Sequence, residues 1–353
     1  MNSLNQATSQ ALHAHREGLA RAIVNRHYGL QATEWRAYGD SGRQKSLRDV
    51  GYHLAYLSEA IADDAPALFA DYAAWVKALF VGLQLPANTL EKTLESTRII
   101  AREQLPPAMA ALVEEYVAIG LARLPDAPTA PPLFVHDNLP LGGLAQEYLT
   151  ALLHGERQIA SQLILTAVAR GVAVKDIYLH VFQRTQYEIG RLWQINQISV
   201  AQEHFCTAAT QLIMSQLYPH IFRTERTGHR LVATCVGGEL HEMGVRMVAD
   251  FFEMAGWDTY YLGANTPADS ILQTLDERRA QVLGISATIT FHVSEVAELI
   301  ARVRASEAGK RVKILVGGYP FKVSEGLWRS INADGFGHDA QQAVAVANKL
   351  VAE

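Results

Sequence analysis

The chain has 353 residues, 49% hydrophobic and 19% charged, with a formal net charge of −5. At roughly 100–200 residues per domain this is room for two or three domains, each able to bury a core without a structural disulfide or metal. The acidic balance speaks against direct nucleic-acid binding, which needs clustered Lys and Arg. Two cysteines, Cys206 and Cys235, make no secreted disulfide framework. The opening MNSLNQATSQALHAHREGLARAI lacks the basic-then-apolar order of a signal peptide. No uncharged apolar run approaches the ~20 residues of a bilayer span. The expectation is a cytoplasmic protein with no membrane partner.

Residues 1–124 read as an all-α domain, with helices over about 4–28, 45–62, 66–83, 87–103 and 107–123. In PALFADYAAWVKALFVGL, Leu68, Tyr72, Trp75 and Leu79 recur at helical spacing, most simply as core. Five of the twelve prolines fall in PDAPTAPPLFVHDNLP, a linker over 125–140. Residues 141–227 read as a four-helix bundle, with Gly155 between the first two helices and Gly171 as a C-cap. Ser199 followed three residues later by Gln202 is a capping box, so the last bundle helix should begin at Val200.

Beyond residue 228 the period changes. HRLVATCV, TYYLG, QVLGISATI, VKILVGG and ADGF are short apolar runs alternating with helical patterns, one opened by Thr266 as N-cap and Pro267 at the first helical position. A helix near 323–331 and a last one over about 339–351 complete the series. This is a doubly wound parallel sheet, flavodoxin-like, over 228–353. Ligands of such sheets bind beyond the carboxyl ends of the strands. The loop after the first strand carries Glu239, His241 and Gly244; the loop after the third carries Ser286 and Thr288; the fourth strand ends in Gly317 and Gly318. Glycines there admit a large planar or phosphate-bearing ligand, and an imidazole backed by a carboxylate is what a metal ligand needs. A lone histidine in such a loop is usually just solvated, one Glu-x-His pair cannot fill a zinc site, and the G-x-G-x-x-G fingerprint is absent.

The combined pattern resembles the cobalamin-binding domain of corrinoid proteins. Their Asp-x-His-x-x-Gly, Ser-x-Leu/Thr and Gly-Gly segments are similar to Glu239-Leu240-His241-Glu242-Met243-Gly244, Ser286-Ala287-Thr288 and Gly317-Gly318, and the likeness extends over about 141–353. It implies His241 as lower cobalt ligand, with Ser286, Thr288 and the glycine pair lining the slot for the nucleotide tail. Glu239 stands where methyltransferases and mutases carry Asp, and in this it looks like the light-sensing branch. Trp193, followed ten residues later by Glu203-His204, resembles the Trp…Glu-His motif of CarH-like light-sensing cobalamin proteins. That resemblance implies Trp193 and Glu203 over the upper face of adenosylcobalamin, and His204 as upper ligand after light breaks the cobalt–carbon bond. The winged helix of light-sensing repressors has no counterpart in residues 1–124.

The whole arrangement resembles photocobilins, which add a bilin-binding helical domain. Arg43, Tyr52, His53 and Tyr72 are the expected contacts for biliverdin, held non-covalently because no cysteine precedes Cys206. Cations would pair with propionates and aromatics pack the rings; on the residues alone, an ordinary helical core is the simpler reading. The expected function is therefore a non-enzymatic photoreceptor that converts cobalt–carbon cleavage into a conformational or quaternary change, homodimeric by resemblance and signalling to an unidentified output partner. The competing readings are a corrinoid methyl carrier that needs a methyltransferase partner, and an interaction module that keeps the fold without the cofactor.

Overall fold

The structure, a computed structural model, describes residues 3–352, with only the backbone at position 308. The chain forms two compact units. One comprises the chain up to Ala130 together with Ile289–Ser294 and Tyr319–Ile331; the other comprises Pro131–Thr288, Glu295–Gly318 and Asn332 onward.

The first unit is built from α1 (Ser3–Ala14), α2 (Arg16–Leu30), α3 (Ala32–Trp35), α4 (Gly39–Ala62), α5 (Pro66–Gly82), α6 (Thr89–Gln104) and α7 (Pro107–Arg123). The single helix expected over 4–28 is broken at His15, whose φ/ψ of −103°/10° is not helical. Leu54, Leu57, Ile61, Leu68, Phe69 and Val76 are buried with Val113 and Val117. Gly120 lets α7 close on Phe69: a Cβ there would lie 2.9 Å from the ring.

This core is filled by its own aromatic side chains. Tyr56 stacks on Tyr72 with ring centroids 3.7 Å apart, and His53 Nδ1 lies 2.7 Å from the Tyr72 hydroxyl. Of the four residues expected to hold biliverdin, Tyr52 is exposed, Arg43 is half-buried, and His53 and Tyr72 are buried. Successive helical residues point about 100° apart, so α4 turns Tyr52 outward and His53 inward. Arg43 donates to Asn25 on the exposed face and lies 5.3 Å above the Tyr28 ring. His53 and Tyr72 meet each other, and Tyr52 lies close enough to act on the Tyr72 hydroxyl.

The second unit begins with the bundle: α8 (Gly142–Leu153), α9 (Arg157–Ala169), α10 (Val174–Ile177) running through a π turn (Tyr178–Phe182) into α11 (Gln183–Gln194), α12 (Val200–Gln216) and α13 (Tyr218–Ile221). Gly155 and Gly171 take φ of 76° and 92°, the left-handed values that end α8 and α9. The Ser199/Gln202 capping box is present in both directions and starts α12 at Val200. Buried Tyr148 bonds Thr210 at 2.9 Å within the bundle, and the Tyr178 hydroxyl donates to Asp250 at 2.8 Å, tying the bundle to the helix after the first strand.

That helix belongs to the sheet region: β1 (Arg230–Cys235), α14 (Met243–Met254), β2 (Asp258–Gly263), α15 (Ala268–Arg278), β3 (Val282–Ser286), α16 (Val293–Ala305), β4 (Lys313–Gly317), β5 (Gly335–Gly337) and α19 (Ala340–Ala352), while α17 (Tyr319–Val323) and α18 (Leu327–Ser330), between β4 and β5 in the chain, fall in the first unit. All pairings are parallel and the strand order is β2-β1-β3-β4-β5. β1, β3 and β4 are apolar and almost fully buried, as sheets covered on both faces require. The order reverses between β1 and β3, and a crevice for ligands opens at such a switch point.

Two local expectations change. Pro267 rather than Thr266 is the N-cap of α15, and the Thr266 hydroxyl donates to the Leu262 carbonyl instead. The helix expected over 323–331 is two short ones, separated where Gly326 adopts φ 88°. Among the described residues no helix is long and apolar enough to cross a membrane.

Candidate functional site

The loops after β1 and β3 meet at the carboxyl edge of the sheet through one buried carboxylate. Glu239 is 1% exposed. Its Oε1 accepts from the His241 backbone N–H at 2.9 Å and faces His241 Nδ1 at 2.6 Å. Its Oε2 accepts from the Thr288 N–H at 2.7 Å. Two loops on either side of the switch point are thus joined by one side chain. Asn265, in the left-handed region at φ 51°, brings in the loop after β2: its side chain accepts from Gly238 N–H at 2.9 Å, and its own N–H donates to the Glu239 carbonyl.

The Glu239 contact decides the tautomer of His241. A carboxylate only accepts, so the proton sits on Nδ1 and Nε2 keeps its lone pair. Nε2 makes no hydrogen bond among the described residues, and the side chain is 57% exposed. The hydrogen bond to Glu239 raises the imidazole's basicity against the effect of burial, and the charges of Glu239 and Glu203 raise it further. A basic imidazole with one nitrogen held and the other open is a monodentate metal ligand with its supporting carboxylate already in place.

Glu242 forms a second tie. It accepts from Gln211 of α12 at 3.1 Å and from the Ala264 N–H at 3.1 Å, so the bundle and two loops share it. Asn265, Glu242 and Gln211 were not singled out from the sequence. An Asn in a strand–helix loop is a cue for left-handed backbone, but the contacts of the other two arise only on folding.

Ser286 ends β3, in register with Cys235 on one side and Gly317 on the other. The glycine pair divides its roles. Gly318 sits at φ +110°, and a Cβ there would lie 1.8 Å from the Ala287 carbonyl oxygen, so the fold itself demands glycine. Gly317 has only an ordinary contact, and around Gly244 a Cβ would meet nothing within 4 Å. Gly244 is therefore not needed for internal packing.

At the end of the bundle, half-buried Trp193 closes α11 and Glu203 lies in the first turn of α12. Glu203 accepts from Thr207 at 2.9 Å and faces His204 Nδ1. His204 is 76% exposed. Burial pushes the Cys206 thiol up to about 11 and Cys235 up to about 12, so neither is a thiolate ligand at neutral pH. Among the described residues no group of three or more His, Cys, Asp or Glu side chains could hold a metal ion. The donor set suits a metal whose equatorial ligands come with a macrocycle.

Comparison with known proteins bears on that cofactor. A B12 binding domain model matches residues 229–345, and a second B12 binding domain model matches residues 144–218. These matches support cobalamin binding. A corrinoid protein of Desulfitobacterium hafniense strain Y51 is 25% identical over 214 residues, 59% of this chain and 97% of that protein. Dimethylamine corrinoid protein 2 of Methanosarcina acetivorans is 26% identical over 167 residues, 47% of this chain and 74% of that protein. The monomethylamine corrinoid protein of Methanosarcina barkeri shares the fold, with a TM-score of 0.54 at 20% identity over 60% of this chain and 99% of that one. Residues 1–143 lie outside both matched models.

These findings overturn the photoreceptor expectation. The relatives are corrinoid proteins, among them ones named for dimethylamine and trimethylamine, and they favour the methyl-carrier reading. They support a corrinoid cofactor but neither its adenosyl form nor biliverdin. The photoreceptor expectation leaned on Trp193, Glu203 and His204, and an aromatic, an acid and a histidine at the end of a bundle also arise from ordinary packing and solvation.

Proposed function

We propose that this chain is the corrinoid-carrying component of a methyl-transfer system and works with a separate methyltransferase. The observation that carries the reading is Glu239, buried at the switch point, holding His241 by Nδ1 and leaving Nε2 open. When bound, the corrinoid supplies a cobalt that takes up a methyl group and yields it to an acceptor. His241 would be its lower ligand. Ser286, Thr288, Gly317 and Gly318 would line the slot for the nucleotide tail, and Gly244 would leave room for the corrin edge. The 141–227 bundle, with Trp193 and Glu203 at its end, would cover the upper face, and the 228–353 sheet region would hold the lower one.

Glu239 sets how strongly His241 donates. While the hydrogen bond stands, negative charge reaches the ring through Nδ1–H, and Nε2 is a stronger donor. Because the same carboxylate holds Thr288, the ligand and the slot wall are positioned together. In this reading the bound corrinoid would serve methyl transfer and not adenosyl photochemistry. Arg43, Tyr52, His53 and Tyr72 are ordinary surface and core residues of the helical unit, and His204 is a solvated neighbour of Glu203.

The test is reconstitution of the full chain with cobalamin, followed by reduction and exposure to methylamines with their methyltransferases. The expected result is a base-off, histidine-on spectrum and partner-dependent methylation. A spectrum with the nucleotide base still on cobalt, or no methylation with any such partner, would contradict the proposal.

A further inference from the structure

Ile289 and Tyr319, the residues that follow Thr288 and Gly318, each open a stretch outside the sheet-bearing unit. Ile289–Ser294 and Tyr319–Ile331 belong to the helical unit formed by the first 130 residues. Contacts inside that unit hold them. Glu59 of α4, 7% exposed, accepts from the N–H of Ser294 in the first turn of α16. The Phe291 ring meets Tyr56 of α4 edge-on, with centroids 5.5 Å apart. The Tyr319 hydroxyl donates to Asp71 of α5 at 2.9 Å.

Glu59 is the informative member. Burying a carboxylate is costly unless strong partners compensate. Its partner is a backbone N–H at the positive end of a 13-residue helix, where a negative charge is stabilised by the dipole as well as by a charge-assisted bond. This holds the start of α16, six residues beyond Thr288. The other side of the same loop is already held, because Thr288 N–H donates to Glu239 and Ala287 N–H donates to the Gly317 carbonyl. Gly318 in turn abuts the Ala287 carbonyl. The loops after β3 and β4 therefore have two sets of attachments: Glu239 and each other at one end, and α4 and α5 at the other. A shift of Ser294 or Tyr319 would be passed along the chain to residues 286–288 and 317–318.

We infer that Glu59, with Asp71 through Tyr319, is a positioning residue for the nucleotide-tail slot, so that the N-terminal helical unit tunes how tightly the tail is held. This rests on the proposed function, because the slot is the part of the corrinoid site formed by Ser286, Thr288, Gly317 and Gly318. It assigns a role to a part of the chain that lies outside the matched B12 binding models.

The test compares cobalamin with cobinamide, the same corrin without the nucleotide tail, by absorbance titration of the full chain. The wild type should bind cobalamin more tightly than cobinamide. Glu59→Ala should weaken cobalamin binding about tenfold while changing cobinamide binding by less than about twofold, within the range expected for coupling through a packed network. Glu59→Gln keeps an oxygen for Ser294 N–H and should recover part of the loss. Tyr319→Phe removes one hydroxyl from a more exposed bond and should lower cobalamin affinity about twofold to threefold, again sparing cobinamide. Equal losses for both ligands would mean a general packing defect and would overturn the inference, as would unchanged cobalamin affinity in Glu59→Ala. Failure of the wild type to bind cobalamin with histidine on the cobalt would overturn the reading of the site itself, and is seen before any variant is made.

Discussion

Histidines in the two units are built in opposite ways. In the helical unit His27 has both ring nitrogens occupied: Trp35 Nε1 donates to its Nε2 at 2.8 Å, and its Nδ1 faces Thr93 Oγ1 at 2.6 Å. Thr93 already donates to the Thr89 carbonyl, so the imidazole is neutral with its proton on Nδ1. Burial pushes His27 down to about 4, and His53 likewise. At the sheet edge His241 has one nitrogen held by a carboxylate and the other open, and its pKa moves up. A histidine that closes its hydrogen bonds inside a core is structural. One that is oriented by a buried acid and left with a lone pair facing outward is a ligand in waiting.

Removing the open nitrogen should have the largest effect. His241→Ala is expected to lower cobalamin affinity at least about a hundredfold, beyond the usual cost of losing a supporting residue, and to abolish the histidine-on spectrum. An unchanged spectrum would erase the distinction between the two kinds of histidine. Glu239→Gln tests the support. Glutamine offers one acceptor in place of two, so either His241 Nδ1–H or Thr288 N–H loses its partner. Affinity should fall about tenfold to a hundredfold in the same titration, and chemical denaturation should show about 1–3 kcal/mol less stability from the unpaired donor.

Acid should destabilise the helical unit by charging a histidine that is neutral in its core. The folded-state value of His53 lies below its ordinary 6.5, so the unfolded chain binds more protons. Its contribution is complete above about pH 6.5 and is lost as pH falls toward 4, amounting to roughly 2 kcal/mol by pH 5. The urea midpoint of the full chain, followed from pH 7 to 5, should drop, and His53→Gln should flatten that drop. A midpoint independent of pH in that window would contradict the assignment of His53 as a neutral core group.

Smaller effects sharpen the contrast further. Ser199→Ala removes one half of the capping box of α12 and should cost about 1 kcal/mol in thermal or chemical unfolding. His204→Ala should leave cobalamin affinity within about twofold, because an exposed side chain held by its neighbour contributes little. A large loss would restore a role for His204 at the upper face.

Much of this was legible before folding. The change from helical to strand period after residue 228, the capping box at Ser199 and the loop bearing Glu239 and His241 all appear where local pattern dictates them. The strand order, which the local pattern leaves open, places the loops after β1 and β3 side by side. What the linear pattern cannot express is long-range burial. Glu239 bonds Thr288 49 residues away, and Glu59 bonds Ser294 235 residues away. The sequence pattern suggested Gly317 and Gly318 as equivalent, whereas only the second is forced by a neighbouring carbonyl. In α4 and α5 the same aromatic richness suits a chromophore pocket or a self-stacked core, and only the Tyr56–Tyr72 stacking and the His53–Tyr72 bond separate them.

The central claim is that Nε2 of His241 is the lower cobalt ligand. It is tested most directly by electron paramagnetic resonance of the cobalt(II) form in protein labelled with ¹⁵N-histidine. Replacement of the three-line axial nitrogen splitting by two lines, absent in His241→Ala, is the result the account predicts. An unchanged three-line pattern would show that the cofactor keeps its own nucleotide base on the metal, and would contradict it.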